Sequence, residues 1–298
     1  MRYGQLVVGP AGSGKSTFCS AMVKHAQTMN RMIRVVNLDP AAEQFDYQCH
    51  GDVRELVNID DVMDASDLHL GPNGGLMFCM EHLCANMDWL ETVLGDDADD
   101  DYWLFDCPGQ IELYTHVPVM RSIVDMLQQR LNFRLCSVFI LDTQFMLDVP
   151  KFFSGALVAL SAMVTLELPC VNVLSKMDLL NAQNRELVNE FLQPNAAILL
   201  DSLDPQPLEK CETSASKAKQ PSQWAQKFRS LSAAIAQILD DYSLLKFTPL
   251  DITDEDSLNE VLLSIDDTIQ YGEDADVKDR FPEEIDPVVQ HRDNGMNF

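Results

Sequence analysis

The chain has 298 residues, 46% of them hydrophobic, and its 47 acidic against 21 basic residues leave a formal charge of −26. This length and apolar content allow one large α/β domain, or one domain with appendages. The acidic balance, without a basic patch, argues against direct binding to nucleic acid and to anionic membranes. No secretory segment precedes the first apolar run, and the eight cysteines lack C-x-x-C spacing, so we expect a cytoplasmic protein with reduced thiols.

Apolar runs alternate with helical periodicities along the chain. This alternation predicts an α/β fold, a single domain over residues 1–272 with a mainly parallel sheet covered by helices on both faces. We place an irregular insertion at about 195–221, and the composition of the acidic tail, 273–298, predicts disorder. The predicted strands are 5–8, 33–37, 102–105, 135–141, 170–174 and 245–247. The predicted helices are 80–94, 156–168, 224–238 and 258–269, the last with a capping box at Thr253 and Asp256.

A glycine-rich segment near the amino terminus matches the phosphate-binding pattern G-x-x-x-x-G-K-[ST]. It occupies residues 9–16, directly after an apolar run and before a helical pattern, which is the strand–loop–helix context that the motif requires. Backbone N–H groups and Lys15 can then surround phosphate oxygens, and the Ser16 hydroxyl can ligate Mg²⁺. We therefore predict that the chain binds a nucleoside triphosphate. The predicted phosphate-binding residues are Gly12, Ser13, Gly14, Lys15, Ser16 and Thr17.

A second phosphate contact is predicted where the strand 102–105 ends. The next residues read Asp-Cys-Pro-Gly-Gln, which places Asp106 at the carboxyl end of a strand, beside the phosphates. A carboxylate there can hold the shell of Mg²⁺ through water, so Ser16 and Asp106 are the predicted metal ligands. The N–H of Gly109 can approach the γ-phosphate and lose that contact when the phosphate leaves, which is typical of a nucleotide switch.

Three polar side chains are candidates for positioning an attacking water. Gln110 and Glu112 follow the second phosphate contact at short distance. Asp39 begins the segment Asp-Pro-Ala-Ala-Glu after the predicted strand 33–37, at a distance from the phosphate loop that suits a carboxylate near the γ-phosphate. A helix cap is the other interpretation of Asp39.

The segment Ser175-Lys176-Met177-Asp178 follows the predicted strand 170–174 and suggests which base is bound. A carboxylate at Asp178 can accept hydrogen bonds from guanine N1–H and the exocyclic amine, while the Lys176 stem covers the plane of the base. Adenine offers no such donor pair, so the carboxylate would be left unpaired, and such a site discriminates strongly. The common form of this motif begins with Asn, from which Ser175 departs. A solvated Lys and Asp at a strand end is the alternative interpretation.

One further segment, Gly71-Pro72-Asn73, is by composition only a turn before a helix. In order with the other motifs, however, it resembles the GPN-loop GTPases, which belong to the SIMIBI class of P-loop proteins. The resemblance extends from the amino terminus to about Gly272. It is carried by residues 9–17, 39–41, 71–73, 106–112 and 175–178.

The resemblance implies a constitutive dimer in which the Gly-Pro-Asn loop of one subunit enters the active site of the other. Asn73 would then contact the phosphate or magnesium region of the partner, supplying a carboxamide in trans from a loop fixed by Pro72. The family pairs as homodimers or with paralogues and acts in assembly and nuclear import of RNA polymerase II. The implied partners are therefore a GPN-loop GTPase and polymerase subunits or assembly factors, with traffic from the cytoplasm to the nucleus.

Three functional hypotheses remain open from the sequence. The first is a Mg²⁺-dependent GTPase that hydrolyses GTP to GDP and phosphate by direct in-line attack of water. The second is a nucleotide-gated assembly scaffold with negligible turnover, because slow GTPases and switches share the same residues. The third is a small-molecule or polynucleotide kinase, which the absence of an Arg-rich lid in the sequence disfavours.

Overall fold

The structure is a computed structural model that describes residues 1–64, 69–95, 101–147, 149–192, 234 and 245–272. Within these residues, seven strands form one sheet with the spatial order 3-2-4-1-5-6-7, and every neighbouring pair is parallel. The strands are β1 Arg2–Val8, β2 Arg34–Asn37, β3 Cys49–Asp52, β4 Tyr102–Asp106, β5 Phe133–Asp142, β6 Cys170–Ser175 and β7 Phe247–Pro249.

Nine α-helices accompany the sheet in the described part of the chain. Short 3₁₀ turns occupy Val53–Glu55, Thr143–Leu147 and Met177–Leu179. Among the described helices, none combines the length and the apolar composition needed to cross a membrane. The helices are α1 Lys15–Thr28, α2 Ile59–Asp64, α3 Pro72–Ala85, α4 Met87–Leu94, α5 Glu112–Thr115, α6 Val119–Gln129, α7 Val149–Leu166, α8 Ala182–Leu192 and α9 Glu255–Ile269.

The sheet is buried on both faces, which explains the near-continuous apolar runs of its strands. In β1, Leu6 and Val8 belong to one buried cluster, whereas Tyr3 and Val7 belong to the other, as the two-residue period of a strand requires. The first cluster also contains buried residues of α3, α4, α6 and α7, and the second contains those of α1 and α9. The predicted fold, a parallel sheet between two helical layers, is confirmed.

The register of the strands gathers their carboxyl ends at one edge of the sheet. Asp106 pairs with Val7 of β1 on one side and with Asn37 of β2 on the other. At the other side of β1, Asp142 of β5 pairs with Ser175 of β6. Because ligands of open α/β sheets bind outside the carboxyl ends of the strands, this edge is where the predicted site residues can meet.

Several strands differ from the prediction. β1 begins at Arg2 and β5 at Phe133, three and two residues before their predicted starts. The edge strand β3 was not predicted because its sequence, Cys-His-Gly-Asp, lacks apolar alternation. It is a strand only through its pairing with β2. The last strand, predicted at 245–247, is Phe247–Pro249 instead.

Three helical predictions also need correction. The predicted helix 156–168 is Val149–Leu166, which begins seven residues earlier. The predicted helix 80–94 is two helices, which are interrupted at Asn86, where the side-chain Nδ2 donates to the His82 carbonyl at 2.8 Å. The cap of α9 is Asp254, whose carboxylate accepts from the N–H of Asp256 at 3.1 Å, and not the predicted Thr253. The insertion at 195–221 and the tail at 273–298 lie outside the described residues, as does the predicted helix 224–238 apart from residue 234.

A cluster of polar and aromatic side chains joins α9 to the sheet near the amino ends of the strands. The guanidinium of Arg31 donates to both carboxylate oxygens of Asp266, at 2.5 and 2.8 Å, and lies 4.2 and 3.9 Å from the ring centroids of Tyr102 and Tyr271. The Tyr102 hydroxyl donates to Asp266 and accepts from Gln5. We call these five residues the Arg31 cluster.

Candidate functional site

The loop between β1 and α1 has the backbone shape of a phosphate cradle. Gly9 has a φ of 145°, and a Cβ placed on it would lie 2.3 Å from the Ile140 carbonyl oxygen, so no other residue fits there. The loop leads into α1 at Lys15. Among the described residues, no side chain caps this helix at Gly14, which leaves the N–H groups of its first turn available to an anion.

Two side chains of the loop carry unused hydrogen-bonding capacity. Lys15 is 8% exposed, and its Nζ donates to the Pro10 carbonyl at 3.2 Å. Burial lowers the pKa of Lys15, although the charges of Asp106 and Asp39 act in the opposite direction. The Ser13 hydroxyl is buried and has no hydrogen-bond partner among the described residues. A buried ammonium and a free hydroxyl donor in a glycine cradle fit an anionic phosphate ligand.

Asp106, at the end of β4, is 2% exposed. Burial raises the pKa of this carboxyl, while hydrogen bonds from Ser16 and Tyr47 and the charge of Lys15 lower it. The Tyr47 hydroxyl donates to Asp106 Oδ2 at 2.8 Å. One carboxylate and one hydroxyl beside a phosphate cradle are the oxygen ligands that Mg²⁺ takes when nucleotide phosphates and water complete its shell. The residues present therefore fit a magnesium ion.

Asp39 is half-buried and lines the same cleft. Its Oδ1 accepts from the Ala41 N–H at 2.9 Å, and its own N–H donates to Asn37 Oδ1 at 3.0 Å. Burial raises the pKa of the Asp39 carboxyl, against the opposing effect of the Ala41 hydrogen bond and the Lys15 charge. The carboxylate caps a turn, and no helix begins between β2 and β3, where every residue is described, so the interpretation of Asp39 as a helix cap is wrong. Its place in the wall of the cleft is compatible with the other interpretation, a carboxylate near the phosphates.

The segment after β4 touches the phosphate loop directly. A Cβ on Gly109 would lie 2.8 Å from Ala11 Cα, so the close approach requires glycine. The Tyr114 hydroxyl donates to the Pro108 carbonyl and so helps to fix the position of this segment. Gln110 lines the cleft, whereas Glu112 is exposed at the start of α5 and lies outside the set of residues that line it.

The Gly-Pro-Asn segment forms the first turn of a helix and not the separate turn that its composition predicts. Gly71 is the N-cap of α3, and Pro72 is its first residue, where a missing N–H has no cost. Pro72 and Leu76 line the cleft. Asn73 is exposed, and its Oδ1 accepts from Nε2 of Gln110 at 2.9 Å. The structure thus brings Asn73 beside the Gln110 of its own chain.

The cleft has a volume of about 600 Å³ and adjoins a second pocket of about 200 Å³. Both are lined by Gly14, Thr17 and Lys176, so these residues join the two spaces. The smaller pocket has Asp178 at its wall and is otherwise largely apolar. Besides the shared residues and Asp178, it is lined by Phe18, Ser175, Leu179, Leu250 and Ile252.

The segment after β6, which the sequence predicts to contact the base, is connected to the loop between β1 and α1. The Ser175 hydroxyl donates to the Ser13 carbonyl at 2.6 Å. Ser175, which replaces the Asn of the common motif, therefore still connects the two segments by a hydrogen bond. Lys176 Nζ donates to Asp142 Oδ2 at 2.8 Å, which holds its stem at the pocket. Asp178 is half-buried at the pocket wall.

Sequence reasoning missed several residues that support the site. Asp142 could have been found because it ends an apolar run, as Asp106 does. Tyr47 and Tyr114 carry no pattern in the sequence that would indicate their contacts with the site. Leu250 and Ile252 reach the base pocket from the loop after β7, far along the chain, and nothing local marks them.

The fold, the phosphate cradle and the carboxylates at the strand ends define a P-loop nucleotide-binding protein. A family described as "Conserved hypothetical ATP binding protein" matches residues 7–271. The fold is also that of a GTPase from Pyrococcus abyssi, crystallised in its apo form, with a TM-score of 0.70 and 20% identity over 89% of this chain and 97% of the other.

Relatives in other organisms are more similar in sequence. GPN-loop GTPase 3 of Danio rerio is 50% identical over 285 residues, which cover 96% of this chain and 93% of the relative. GPN-loop GTPase 3 of Xenopus tropicalis is 50% identical over 297 residues, covering 100% and 95%. GPN-loop GTPase 3 of Saccharomyces cerevisiae is 45% identical over 279 residues, covering 93% and 96%. The chain belongs to the GPN-loop GTPase family.

Proposed function

We propose that the chain is a Mg²⁺-dependent GTPase, which binds GTP and GDP and hydrolyses GTP to GDP and phosphate. The observation that carries this proposal is that the two pockets are neighbours with shared walls. A cleft with the buried ammonium of Lys15 adjoins a largely apolar pocket with the carboxylate of Asp178 at its wall. Phosphates and a base of one nucleotide fit these two chemistries together.

The base pocket favours guanine over adenine. Asp178 can accept from the two adjacent N–H donors of guanine, and the Lys176 stem and Leu250 offer apolar surface to the ring. Adenine would leave the carboxylate unpaired in a partly buried position, at a cost of about 1–3 kcal/mol. This chemistry agrees with the names of the GPN-loop relatives, and less well with the ATP of the family description.

The phosphate cleft would stabilise the charge of a leaving phosphate. Lys15 and the loop N–H groups are preorganised toward the β- and γ-phosphates and need no rearrangement when charge develops there. Ser16 and Asp106 would hold Mg²⁺, which supplies neutralisation of the phosphate charge when bound. The N–H of Gly109, packed against Ala11, would contact the γ-phosphate.

Of the three candidates for positioning water, Asp39 and Gln110 line the cleft, and Glu112 does not. We assign the water-positioning role to Asp39 and Gln110. The raised pKa of Asp39 brings it closer to the range in which a carboxylate can accept a proton from water. Glu112 would act only after a rearrangement of the start of α5.

We further propose a dimer in which Asn73 acts on the partner. Asn73 is exposed at the rim of the cleft, beside the Gln110 of its own chain. In a two-fold dimer the same patch faces itself, so a loop at the rim of one site can reach the rim of the other. The dimer would be formed with a second copy or with a paralogous GPN-loop GTPase.

The cellular role rests on the family resemblance alone. We propose a dimeric switch in assembly and nuclear import of RNA polymerase II, with polymerase subunits or assembly factors as partners and traffic between cytoplasm and nucleus. Direct binding to nucleic acid or to a membrane is not expected from a chain of charge −26. Co-purification of polymerase subunits with the GTP-bound protein and not with the GDP-bound protein would support this role.

The base assignment is tested by exchanging the hydrogen-bonding capacity of Asp178. Asp178→Asn should weaken GTP binding by about 10–100-fold, because a carboxylate accepting two hydrogen bonds is lost, and should improve binding of xanthosine triphosphate. Fluorescence titration with the two nucleotides measures the change. Asp254→Asn is the matched control, because Asn caps α9 as well as Asp does. Unchanged preference for GTP in Asp178→Asn would contradict the assignment.

One observation favours the scaffold with negligible turnover as a second candidate. The amide of Gln110 is engaged by Asn73 in the single chain. Single-turnover hydrolysis of GTP by the dimer, alone and mixed with a paralogue, separates the two functions. Negligible hydrolysis in both preparations would favour the scaffold. If hydrolysis is measurable and Gln110→Ala and Asn73→Ala leave its rate unchanged, these residues do not catalyse, and the trans-acting role of Asn73 fails.

A further inference from the structure

The loop that carries Asp39 is fastened at its beginning. We call residues 38–48, between β2 and β3, the Asp39 loop. Asn37 precedes it, and its Nδ2 donates to the Asp39 carbonyl at 3.1 Å and to Asp52 Oδ1 at 2.9 Å. Asn37 and Asp52 are also paired in the sheet, so Asn37 connects Asp39 to both β2 and β3.

Arg54 fastens the middle of the Asp39 loop. Its guanidinium donates to Oδ1 and Oδ2 of Asp52. It also donates to the carbonyls of Ala42 and Glu43, at 2.8 and 3.2 Å. The Cζ atom of Arg54 also lies 5.0 Å from the ring centroid of Phe45. One cation therefore orders three successive parts of the loop.

The end of the loop reaches the candidate metal ligand. The rings of Phe45 and Tyr47 are stacked, with centroids 4.5 Å apart and an angle of 7° between their planes. The hydroxyl of Tyr47 donates to Asp106 Oδ2 at 2.8 Å. Ser20 of α1 holds the backbone of this end, because its hydroxyl donates to the Asp46 carbonyl at 2.9 Å. The contacts run without interruption from Arg54 to Asp106.

We propose that Tyr47 is a positioning residue for the divalent cation of the nucleotide site. Its hydroxyl donates to Oδ2 of Asp106, which restricts the rotation of the carboxylate, and the other oxygen would serve the shell of the cation. Such outer hydrogen bonds orient metal-ligating carboxylates and are typically worth 10–100-fold in metal affinity. The inference rests on the proposed function, because the cation is the one that accompanies the nucleotide.

The position of Tyr47 also connects Asp106, the candidate metal ligand, to Asp39 in the wall of the cleft. Tyr47 and Asp39 lie on one loop, which Arg54 orders as a unit. A change at Asp106 can therefore reach Asp39 through a continuous set of contacts. This arrangement assigns Arg54 a supporting role, since it positions Tyr47 through the ring of Phe45.

The test is a magnesium titration of a fluorescent GDP analogue bound to the full-length protein. Tyr47→Phe keeps the stacked ring and removes only the hydroxyl. We expect the Mg²⁺ concentration at half-saturation to rise about 10-fold. Nucleotide affinity in EDTA and the preference for GDP over ADP should remain unchanged, because neither depends on Asp106. Tyr271→Phe, a phenol in the Arg31 cluster near the amino ends of the strands, is the matched control and should leave the titration unchanged.

The outcomes separate this inference from the proposed function. If the wild-type protein binds no guanine nucleotide with Mg²⁺, the proposed function fails, and this inference fails with it. If the wild type responds to Mg²⁺ and folded Tyr47→Phe has the same half-saturation, only the inference is overturned. Should Tyr47→Phe not fold, Arg54→Lys decides. It keeps the charge but loses the bidentate pair with Asp52, and an unchanged half-saturation would overturn the inference.

Discussion

Two polar regions, one at the carboxyl ends of the strands and one near their amino ends, differ in how their buried charges are compensated. In the Arg31 cluster, the cation is matched by a carboxylate at 2.5 and 2.8 Å and covered by two rings. At the phosphate edge, Lys15 donates only to a backbone carbonyl, and Asp106 accepts from hydroxyl groups. In the described part of the chain, Lys15 has no ion pair.

The difference indicates what each region contributes. A cation that is paired and hydrogen-bonded inside the chain has its charge compensated in the folded protein and joins distant segments, here α9 and the sheet. An unpaired but fixed cation is less favourable for folding, because burial is not fully compensated, but it is ready for a ligand of opposite charge. We therefore expect substitutions in the two regions to affect different measurements.

The largest expected effect is on ligand binding at Lys15. Lys15→Ala should weaken binding of GTP by about 3 kcal/mol, or roughly 100-fold, because a preorganised charge contact is lost. The free energy of unfolding without nucleotide should not fall, since the variant also removes a buried ammonium with a lowered pKa. Calorimetric titration and urea denaturation measure the two quantities. A loss of stability as large as the loss of binding would contradict the contrast between the regions.

A comparable effect on stability is expected at Arg31. Arg31→Met should lower the free energy of unfolding by about 3 kcal/mol, because the carboxylate of Asp266 stays buried without its partner. Nucleotide affinity should be unchanged, since the cluster lies near the amino ends of the strands. Adding Asp266→Leu to this variant should restore part of the stability. Urea denaturation of the single and double variants measures the coupling, and purely additive losses would show that the pair does not matter.

A smaller effect is expected at Ser175, which joins the two parts of the nucleotide site. Ser175→Ala removes the hydrogen bond to the Ser13 carbonyl and should reduce nucleotide affinity by a few-fold, corresponding to about 1 kcal/mol. Ser175→Asn, which restores the common form of the motif, should weaken binding less. Titration with fluorescent GDP distinguishes the two variants. Equal affinity in Ser175→Ala and wild type would mean that the tie is unimportant for binding.

The smallest effect is expected at Asp52, which holds Arg54. Burial alone would raise the pKa of this carboxyl, but hydrogen bonds from Arg54 and Asn37 outweigh it, and the pKa is lowered from its ordinary value. Asp52→Asn should lower the free energy of unfolding by about 1 kcal/mol at pH 7, because the pair is partly exposed.

This contribution should depend on pH in a defined direction. Because the pKa of Asp52 is lower in the folded than in the unfolded protein, its stabilising effect is present above the ordinary carboxyl range. It is lost as the pH falls through the folded pKa, so the difference between wild type and Asp52→Asn should shrink below about pH 4. Denaturation curves at several pH values measure this difference. A difference that grows in acid would contradict the assigned sign.

The elements that the sequence predicted well are those with a strong local pattern. The central strands β1, β4, β5 and β6 contain short, near-continuous apolar runs because both of their faces are buried, and such runs can be recognised without any tertiary information. The edge strand β3 has no such pattern, because only Gly51 of its four residues is buried, and its pairing with β2 alone makes it a strand. The break at Asn86 was also missed, since the apolar spacing continues across it.

For the nucleotide site, the amino-acid order alone specified the phosphate loop, Asp106 and the segment that ends at Asp178. These parts need glycines, a lysine and carboxylates at fixed short spacings, and such spacings can be recognised in the sequence. The tertiary structure decided which side chains support them. Tyr47 reaches Asp106 across 59 residues, and Lys176 reaches Asp142 across 34, because parallel strands bring distant segments to one edge. Contacts between such segments depend on the register of the sheet, and no local pattern encodes that register.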